Sequence, residues 1–160
     1  MTDLEKRSKY LRLVTNQLLP PYSALKIANY MGCVVYSTIY DEKDGKNIYG
    51  SIIILDYKPT IYINRKLKLK EINFTIAHEL GILLTSEANE LSEEFIDNKN
   101  LRNSILWNKR EIVTSIFAIN LLVPKNMLRR AIHSGAKTFK ELSLLFNVPE
   151  NIIEYQVNAI

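Results

Sequence analysis

The chain has 160 residues, of which 47% are apolar, and a formal net charge of +4. This length and composition suit one domain with its own hydrophobic core, and they exclude a small fold that depends on disulfides. Cys33 is the single cysteine, so no intrachain disulfide can form and a reducing compartment is expected. No apolar run approaches the roughly 18 residues of a membrane span, and no apolar segment follows the charged N-terminal residues. We therefore expect a cytoplasmic protein.

The N-terminal residues predict two amphipathic helices. Apolar side chains recur at helical spacing over residues 3–18 and again over residues 22–31. Pro20 and Pro21 end the first helix, because proline cannot continue a helical hydrogen-bond ladder. Gly32 is the expected left-handed cap of the second helix.

Three short strands are predicted next. Residues 33–40 and 48–56 are rich in β-branched and aromatic side chains, and the polar segment between them contains Asp44-Gly45. An Asp-Gly pair between two such runs is typical of a hairpin, so we expect these two strands to pair with each other. A third strand over residues 60–64 completes a small three-stranded sheet.

The C-terminal half predicts five further helices. The first, which we call the central helix, begins between residues 67 and 71, ends near residue 84 and is apolar around most of its circumference. A polar, glutamate-rich connection follows over residues 85–107. A long helix and three short ones are then expected over residues 108–123, 124–132, 139–146 and 150–158.

A charged pair, His78 and Glu79, lies inside the apolar run of the central helix. In zinc peptidases the pattern His-Glu-x-x-His places two imidazoles one turn apart on one helical face, with the glutamate between them as general base. The fifth position of this pattern is Ile82, which has no lone pair. The sequence therefore predicts a metallopeptidase helix that has lost one metal ligand.

Four segments of the chain occur in an order that is typical of one peptidase family. They are Ile61-Tyr-Ile-Asn64, Phe74-Thr-Ile-Ala-His-Glu-Leu-Gly81, Phe117-Ala118 with Leu121-Leu122-Val123-Pro124, and residues 142–157 around Phe146-Asn147-Val148. Together they resemble the ImmA/IrrE family of zinc-dependent endopeptidases, small bacterial and phage proteins that cleave a partner helix-turn-helix repressor.

The resemblance implies a zincin-like α+β fold, with the small sheet packed on the active-site helix and on a second long helix. Residues 1–124 would form the metallopeptidase-type domain. Residues 125–160 would form a helical, helix-turn-helix-like extension packed on it, so that the whole chain is one compact unit.

The resemblance also implies a third metal ligand on the long helix. In the family a glutamate four residues before the Phe-Ala pair supplies this ligand, and that position is Val113. Glu111 lies two residues before Val113, which is about 200° around an ideal helix. It is therefore expected to point away from the metal position unless the helix slips or bulges. Glu87 and Glu90, just beyond the central helix, are the other candidate substitutes.

His78 is then the one retained ligand, and we expect it to be a hydrogen-bonded core histidine. With apolar Ile82 and Val113 at the other two positions, a hydrophobic contact would take the place of the metal. No cofactor is expected unless other ligands rebuild a zinc site. Ser86 is a poor zinc ligand, and His133 is expected to be exposed at the end of a helix. Restoring zinc is expected to need both Ile82→His and Val113→Glu.

Three functions follow from these observations. The first is a pseudopeptidase that binds and regulates a helix-turn-helix repressor of a phage or mobile element without cleaving it. The second is an active zinc endopeptidase with unorthodox ligands and Glu79 as general base. The third is DNA binding through the C-terminal helices, which is disfavoured because residues 150–158 carry carboxylates and no cation.

A basic group just before the central helix is the candidate surface for a protein partner. Nucleic acid and membrane partners are not expected. The group consists of Arg65, Lys66, Lys68 and Lys70.

Overall fold

The computed structural model describes residues 1–41, 48–86, 95–98 and 109–160. Within these ranges the chain forms seven helices and four strands, which confirms the predicted α+β class. In chain order they are α1 (Asp3–Val14), α2 (Ala24–Tyr30), β1 (Val34–Thr38), β2 (Ile48–Leu55), β3 (Lys58–Asn64), α3 (Leu69–Thr85), β4 (Phe95–Asn98), α4 (Lys109–Leu122), α5 (Lys125–His133), α6 (Phe139–Phe146) and α7 (Glu150–Asn158).

The four strands form one sheet in the order β1-β3-β2-β4. β3 pairs in parallel with β1 and antiparallel with β2. The predicted hairpin between β1 and β2 is therefore wrong, since the hairpin joins β2 to β3 through Asp56 and Tyr57. Their φ angles of 48° and 65° are those of a two-residue turn that matches the twist of antiparallel strands. The Asp44-Gly45 segment, on which the wrong prediction rested, lies outside the described residues.

A fourth strand, β4, was not predicted. It falls inside the polar connection over residues 85–107 and pairs antiparallel with β2. Its sequence, Phe-Ile-Asp-Asn, is short and half polar, so it has neither the length nor the residue types that indicate a strand. β4 extends the sheet on the side of β2.

The predicted helices are present, with small shifts at their ends. α1 shows the largest difference, because it ends at Val14 and the chain then turns through Asn16 at a φ of 56°. The predicted cap of α2 is confirmed. Gly32 has a φ of 77°, and the Cys33 amide donates to the carbonyl oxygen of Ala28 at 2.9 Å, as in a Schellman motif.

α3 is buried continuously from Asn73 to Ile82, so it is covered on all sides as its sequence predicted. Gly50 allows β2 to approach it closely. A Cβ at Gly50 would lie 2.7 Å from the Tyr62 carbonyl oxygen and 2.9 Å from Cγ2 of Thr75. α3 therefore lies between the sheet and the remaining helices.

The C-terminal helices share the core of the rest of the chain. The Asn73 side chain on α3 donates to the carbonyl oxygens of Tyr22 at 3.0 Å and Asn147 at 3.1 Å. Gln156 on α7 donates to the carbonyl oxygen of Val123 at 2.7 Å. Three buried apolar side chains of α6 and α7 belong to the same core cluster: Leu142, Phe146 and Ile153.

Within the described ranges, no helix on its own combines the length and apolarity needed to cross a membrane. The pair Glu111–Leu122 and Lys125–His133, bent by 46°, meets both criteria together.

Candidate functional site

The candidate site lies where α3 packs against α4. Gly81 allows the two helices to approach closely, because a Cβ there would lie 2.9 Å from the backbone oxygen of Thr114 and 3.1 Å from its Cα. These are backbone atoms, so they cannot rotate away from an added side chain. His78 precedes Gly81 by three residues, which places it on the same face of α3, toward α4.

His78 contacts two polar side chains of α4. Its Nε2 atom lies 3.4 Å from Oε2 of Glu111 and 3.3 Å from Oγ1 of Thr114, and all three residues are buried. The Thr114 hydroxyl donates to the carbonyl oxygen of Glu111 at 3.0 Å, so it accepts from Nε2–H of His78. His78 is therefore a buried, hydrogen-bonded histidine that links α3 to α4.

The expectation that Glu111 points away from His78 is wrong. Glu111, Thr114 and Ala118 follow one another at three- and four-residue steps on α4, which puts them on one face, and all three are buried. Val113, the position at which the third ligand was expected, is half-buried. The carboxylate beside His78 therefore comes from a residue two positions before Val113.

Ile82 lies one turn after His78 on α3 and is fully buried. Its side chain is a saturated hydrocarbon, so it offers no lone pair to a metal. Ser86, one turn further on, donates its hydroxyl to the carbonyl oxygen of Ile82. His133 is exposed at the end of α5, as expected, and its Nδ1 lies 2.7 Å from the carbonyl oxygen of Arg129.

A catalytic zinc ion takes three protein ligands and a water, and the described residues meet part of this requirement. Two tetrahedral ligands at about 2.0–2.1 Å from zinc lie about 3.3 Å apart, close to the 3.4 Å between His78 Nε2 and Glu111 Oε2. Ile82 has no donor atom, so it cannot supply the third ligand. Within the described part of the chain, no group of three or more His, Cys, Asp or Glu side chains could hold a metal. Glu87 and Glu90 lie outside the described residues. The described residues therefore do not complete a zinc site.

Glu79, the candidate general base, is fully buried on α3. Adjacent residues on a helix point about 100° apart, so Glu79 and His78 face different neighbours. Phe74, one turn before His78, packs its ring against the imidazole at a centroid distance of 6.4 Å. Glu79 would act as a base only on a metal-bound water, so this role depends on a completed metal site.

Three members of the basic group before α3 are exposed, and the fourth contacts another helix. Arg65, Lys66 and Lys68 are exposed. Lys70 is half-buried, and its Nζ donates to Oγ of Ser143 on α6 at 2.9 Å. Lys70 therefore links α3 to α6. Contact of the basic group with a partner stays a prediction.

Thr114 is the site residue that the sequence analysis did not identify. Threonine is common in helices, and a single hydroxyl carries no signal for contact with a histidine 36 residues away. The available signal was its position three residues after Glu111, on the same helical face. This position indicates a contact between Thr114 and His78 only once Glu111 is known to face α3.

The comparison with known families identifies the family of the chain. Residues 28–158 match the family model of peptidase M78, described as the IrrE N-terminal-like domain. No curated protein matches the chain. The match covers most of the chain, including the whole sheet, α3, α4 and the C-terminal helices, and it agrees with a zincin-like fold. The chain therefore belongs to the IrrE N-terminal-like domain family of peptidases.

Proposed function

We propose that this chain regulates a helix-turn-helix repressor of a phage or mobile element by binding it, and that it does not cleave it. The observation that carries this proposal is the fully buried Ile82 at the position of the second zinc ligand. The nature of the partner follows from the family resemblance.

The burial of Ile82 supports a role without catalysis. An aliphatic side chain at a helix–helix contact strengthens the core and removes a polar group that would be costly to bury without a metal. His78 and Glu111 contact each other at 3.4 Å, so each has a polar neighbour without a second histidine. The polar side chains at the α3–α4 contact are therefore paired with each other without a metal.

A second candidate, an active endopeptidase with an unorthodox third ligand, is favoured by one observation. Glu111 lies beside His78 at a distance that suits two ligands of one metal. Together with Glu79, the chain then has three of the four side chains that a zinc peptidase uses. The missing ligand would have to come from outside the described residues, for example from Glu87 or Glu90.

Metal analysis combined with a cleavage assay separates these two functions. The protein is purified without chelator, its zinc content is measured, and it is incubated with a candidate helix-turn-helix repressor. We expect less than stoichiometric zinc, binding of the repressor and no cleavage, with the Glu79→Gln variant binding equally well. Stoichiometric zinc with cleavage that Glu79→Gln abolishes would establish the active enzyme instead.

The charge and burial of the side chains on α7 support the expectation that nucleic acid is not the partner. Glu150 and Glu154 are exposed on this helix, where they would face phosphates if it entered a DNA groove. Gln156 is buried and bonds to the backbone of α4's end, so it is not available to read bases. Sequence-specific DNA binding normally adds several cationic phosphate contacts, which this helix lacks.

A further inference from the structure

A cavity of about 410 Å³ lies where α1 passes the end of α4 and the start of α5. We call it the basic cavity, because four cationic side chains line it: Lys9, Arg12, Lys125 and Arg129. Glu5 is the acidic residue among the described lining residues. Its volume lies within the range of small-molecule sites, about 300–1,000 Å³. The cavity shares no described residue with the contact between His78 and Glu111.

Arg12 is the buried cation of this cavity, with 9% of its surface exposed. Its Nη1 donates to the carbonyl oxygens of Asn120 at 2.8 Å and Leu121 at 3.0 Å, and its Cζ lies over the Tyr22 ring, 5.2 Å from the ring centroid. These contacts fix its orientation. Nη2 and Nε make no hydrogen bond to any residue that the structure describes, so donors remain on a positioned guanidinium that lines the cavity.

Burial makes this charge costly. Desolvation lowers the pKa of Arg12, and the nearby Tyr22 opposes the shift. An anion in the cavity would offset the desolvation, because an opposite charge favours the ionised form. An Arg fork is also well suited to the oxygens of a phosphate group, to which it can donate two parallel hydrogen bonds.

The start of α5 adds further donors at the same wall. Its N-cap is Pro124, which provides no side-chain hydrogen bond to the first turn. The first-turn residues Lys125, Asn126 and Met127 all line the cavity. The amides of a first helical turn have no acceptor within the helix and carry a partial positive charge, so they favour an anion.

Glu5, the carboxylate among the described lining residues, does not cancel the positive charge of the cavity. Glu5 Oε2 accepts from the Thr2 amide at 2.7 Å in the capping box of α1, and Oε1 lies 3.8 Å from Nζ of Lys125. Glu5 is thus engaged with the cap and with one lysine. The remaining cations leave an excess of positive charge at the cavity.

From this convergence we infer that the basic cavity binds a small phosphate-bearing anion, with the phosphate held by Arg12, Arg129 and the first turn of α5. Leu13 and Leu18, both exposed and both lining the cavity, provide an apolar rim beside the cations. A phosphate ester with an apolar or aromatic body would contact both parts, whereas inorganic phosphate or pyrophosphate would use the cations alone.

The test is a calorimetric titration of the full chain with inorganic phosphate, pyrophosphate and adenosine monophosphate. We expect saturable binding to one site, weakened about tenfold by Arg129→Gln, because this change removes one charged contact with the phosphate. Arg130→Gln is the matched control. Arg130 is exposed on the same helix and does not belong to the described lining, so its loss should change affinity less than about twofold.

The outcomes separate clearly. Tighter binding of the nucleotide than of inorganic phosphate would assign a role to the apolar rim, and the reverse order would assign the site to phosphate alone. Both orders support the inference. No saturable binding at about 10 mM ligand, near the limit of a weak site, would overturn it. So would equal losses in Arg129→Gln and Arg130→Gln, because they would reflect net charge. Arg12→Lys is a further variant, used only if its thermal unfolding matches that of the unmodified chain.

Discussion

The substitution Ile82→His is the sharpest perturbation that the structure offers. It places an imidazole four residues after His78 on α3, the spacing by which zinc peptidases bind their metal. Since Glu111 Oε2 already lies 3.4 Å from His78 Nε2, the new side chain would supply the third ligand. We expect this single change to produce a zinc site.

Ile82→His is expected to change the unfolding free energy in two opposing ways. Without metal, a polar ring at the fully buried position of Ile82 should cost about 1–3 kcal/mol of unfolding free energy. Structural zinc sites with four ligands bind with about 10–16 kcal/mol. One added ligand is therefore worth about 3 kcal/mol, or roughly a hundredfold in affinity. Zinc at about 100 times its Kd should add about 2.7 kcal/mol to the unfolding free energy.

Thermal unfolding with and without zinc, together with competition against a zinc-binding dye, measures both parts. For a chain of this length 1 kcal/mol corresponds to about 2–4 °C in Tm. The metal-free variant should therefore melt about 2–12 °C below the unmodified chain and recover most of that difference in zinc. Ile82→Gln is the matched control, because it introduces a polar side chain at the same position and should show no recovery.

The role of Glu111 is tested in the same background. Ile82→His with Glu111→Gln should lose the gain in zinc affinity, whereas Ile82→His with Val113→Ala should keep it. The reasoning fails if Ile82→His binds zinc no better than the unmodified chain. It also fails if the gain survives Glu111→Gln or requires Val113→Glu, because the third ligand would then not be Glu111.

Three further predictions concern the framework. Gly81→Ala should lower the unfolding free energy by about 1–3 kcal/mol in a denaturant titration, because its Cβ would lie 2.9 Å from the backbone oxygen of Thr114; unchanged stability would contradict the close approach. Asn73→Ala should cost at least about 2 kcal/mol, since the Ala24 amide, which donates to it at 2.9 Å, loses its acceptor. Burial raises the pKa of Cys33 to about 11 from 9.0. Iodoacetamide at pH 8 should therefore modify the folded chain roughly a hundredfold more slowly than the unfolded chain. Equal rates would contradict the burial of the Cys33 thiol.

The helices could be predicted because their signals are local. Gly32 marks the end of α2 by its left-handed conformation. Thr138 and Glu141 form the capping box that opens α6, with the Glu141 amide donating to Thr138 Oγ1 at 3.1 Å. Each of these signals depends on residues within one turn of each other. Their meaning is therefore independent of how the rest of the chain packs.

The pairing of the strands could not be predicted in the same way. β1 pairs with β3 across more than 20 residues of sequence, and no local residue pattern indicates a parallel partner. The turn between β2 and β3 is formed by Asp56 and Tyr57 at positive φ, where tyrosine is unusual. The Asp44-Gly45 pair gave the stronger turn signal, although its strands do not pair with each other. Hairpin prediction from turn residues therefore failed where the tertiary structure selected a less typical turn.

The error at Glu111 has a different cause, and correcting it changes the interpretation of the site. Counting residues back from Phe117 gives a position along α4, but it does not give the rotation of α4 relative to α3. A residue two positions away points to nearly the opposite side of the helix. With Val113 as the third position, two ligands would be absent, and restoring zinc would need a double substitution. With Glu111 beside His78, two of the donors contact each other across the α3–α4 contact. On the proposed function, Ile82 would then remove metal ligation without separating them. On the proposed function, one buried aliphatic side chain would be sufficient to turn a metal site into a structural contact, and Ile82→His should be sufficient to reverse it.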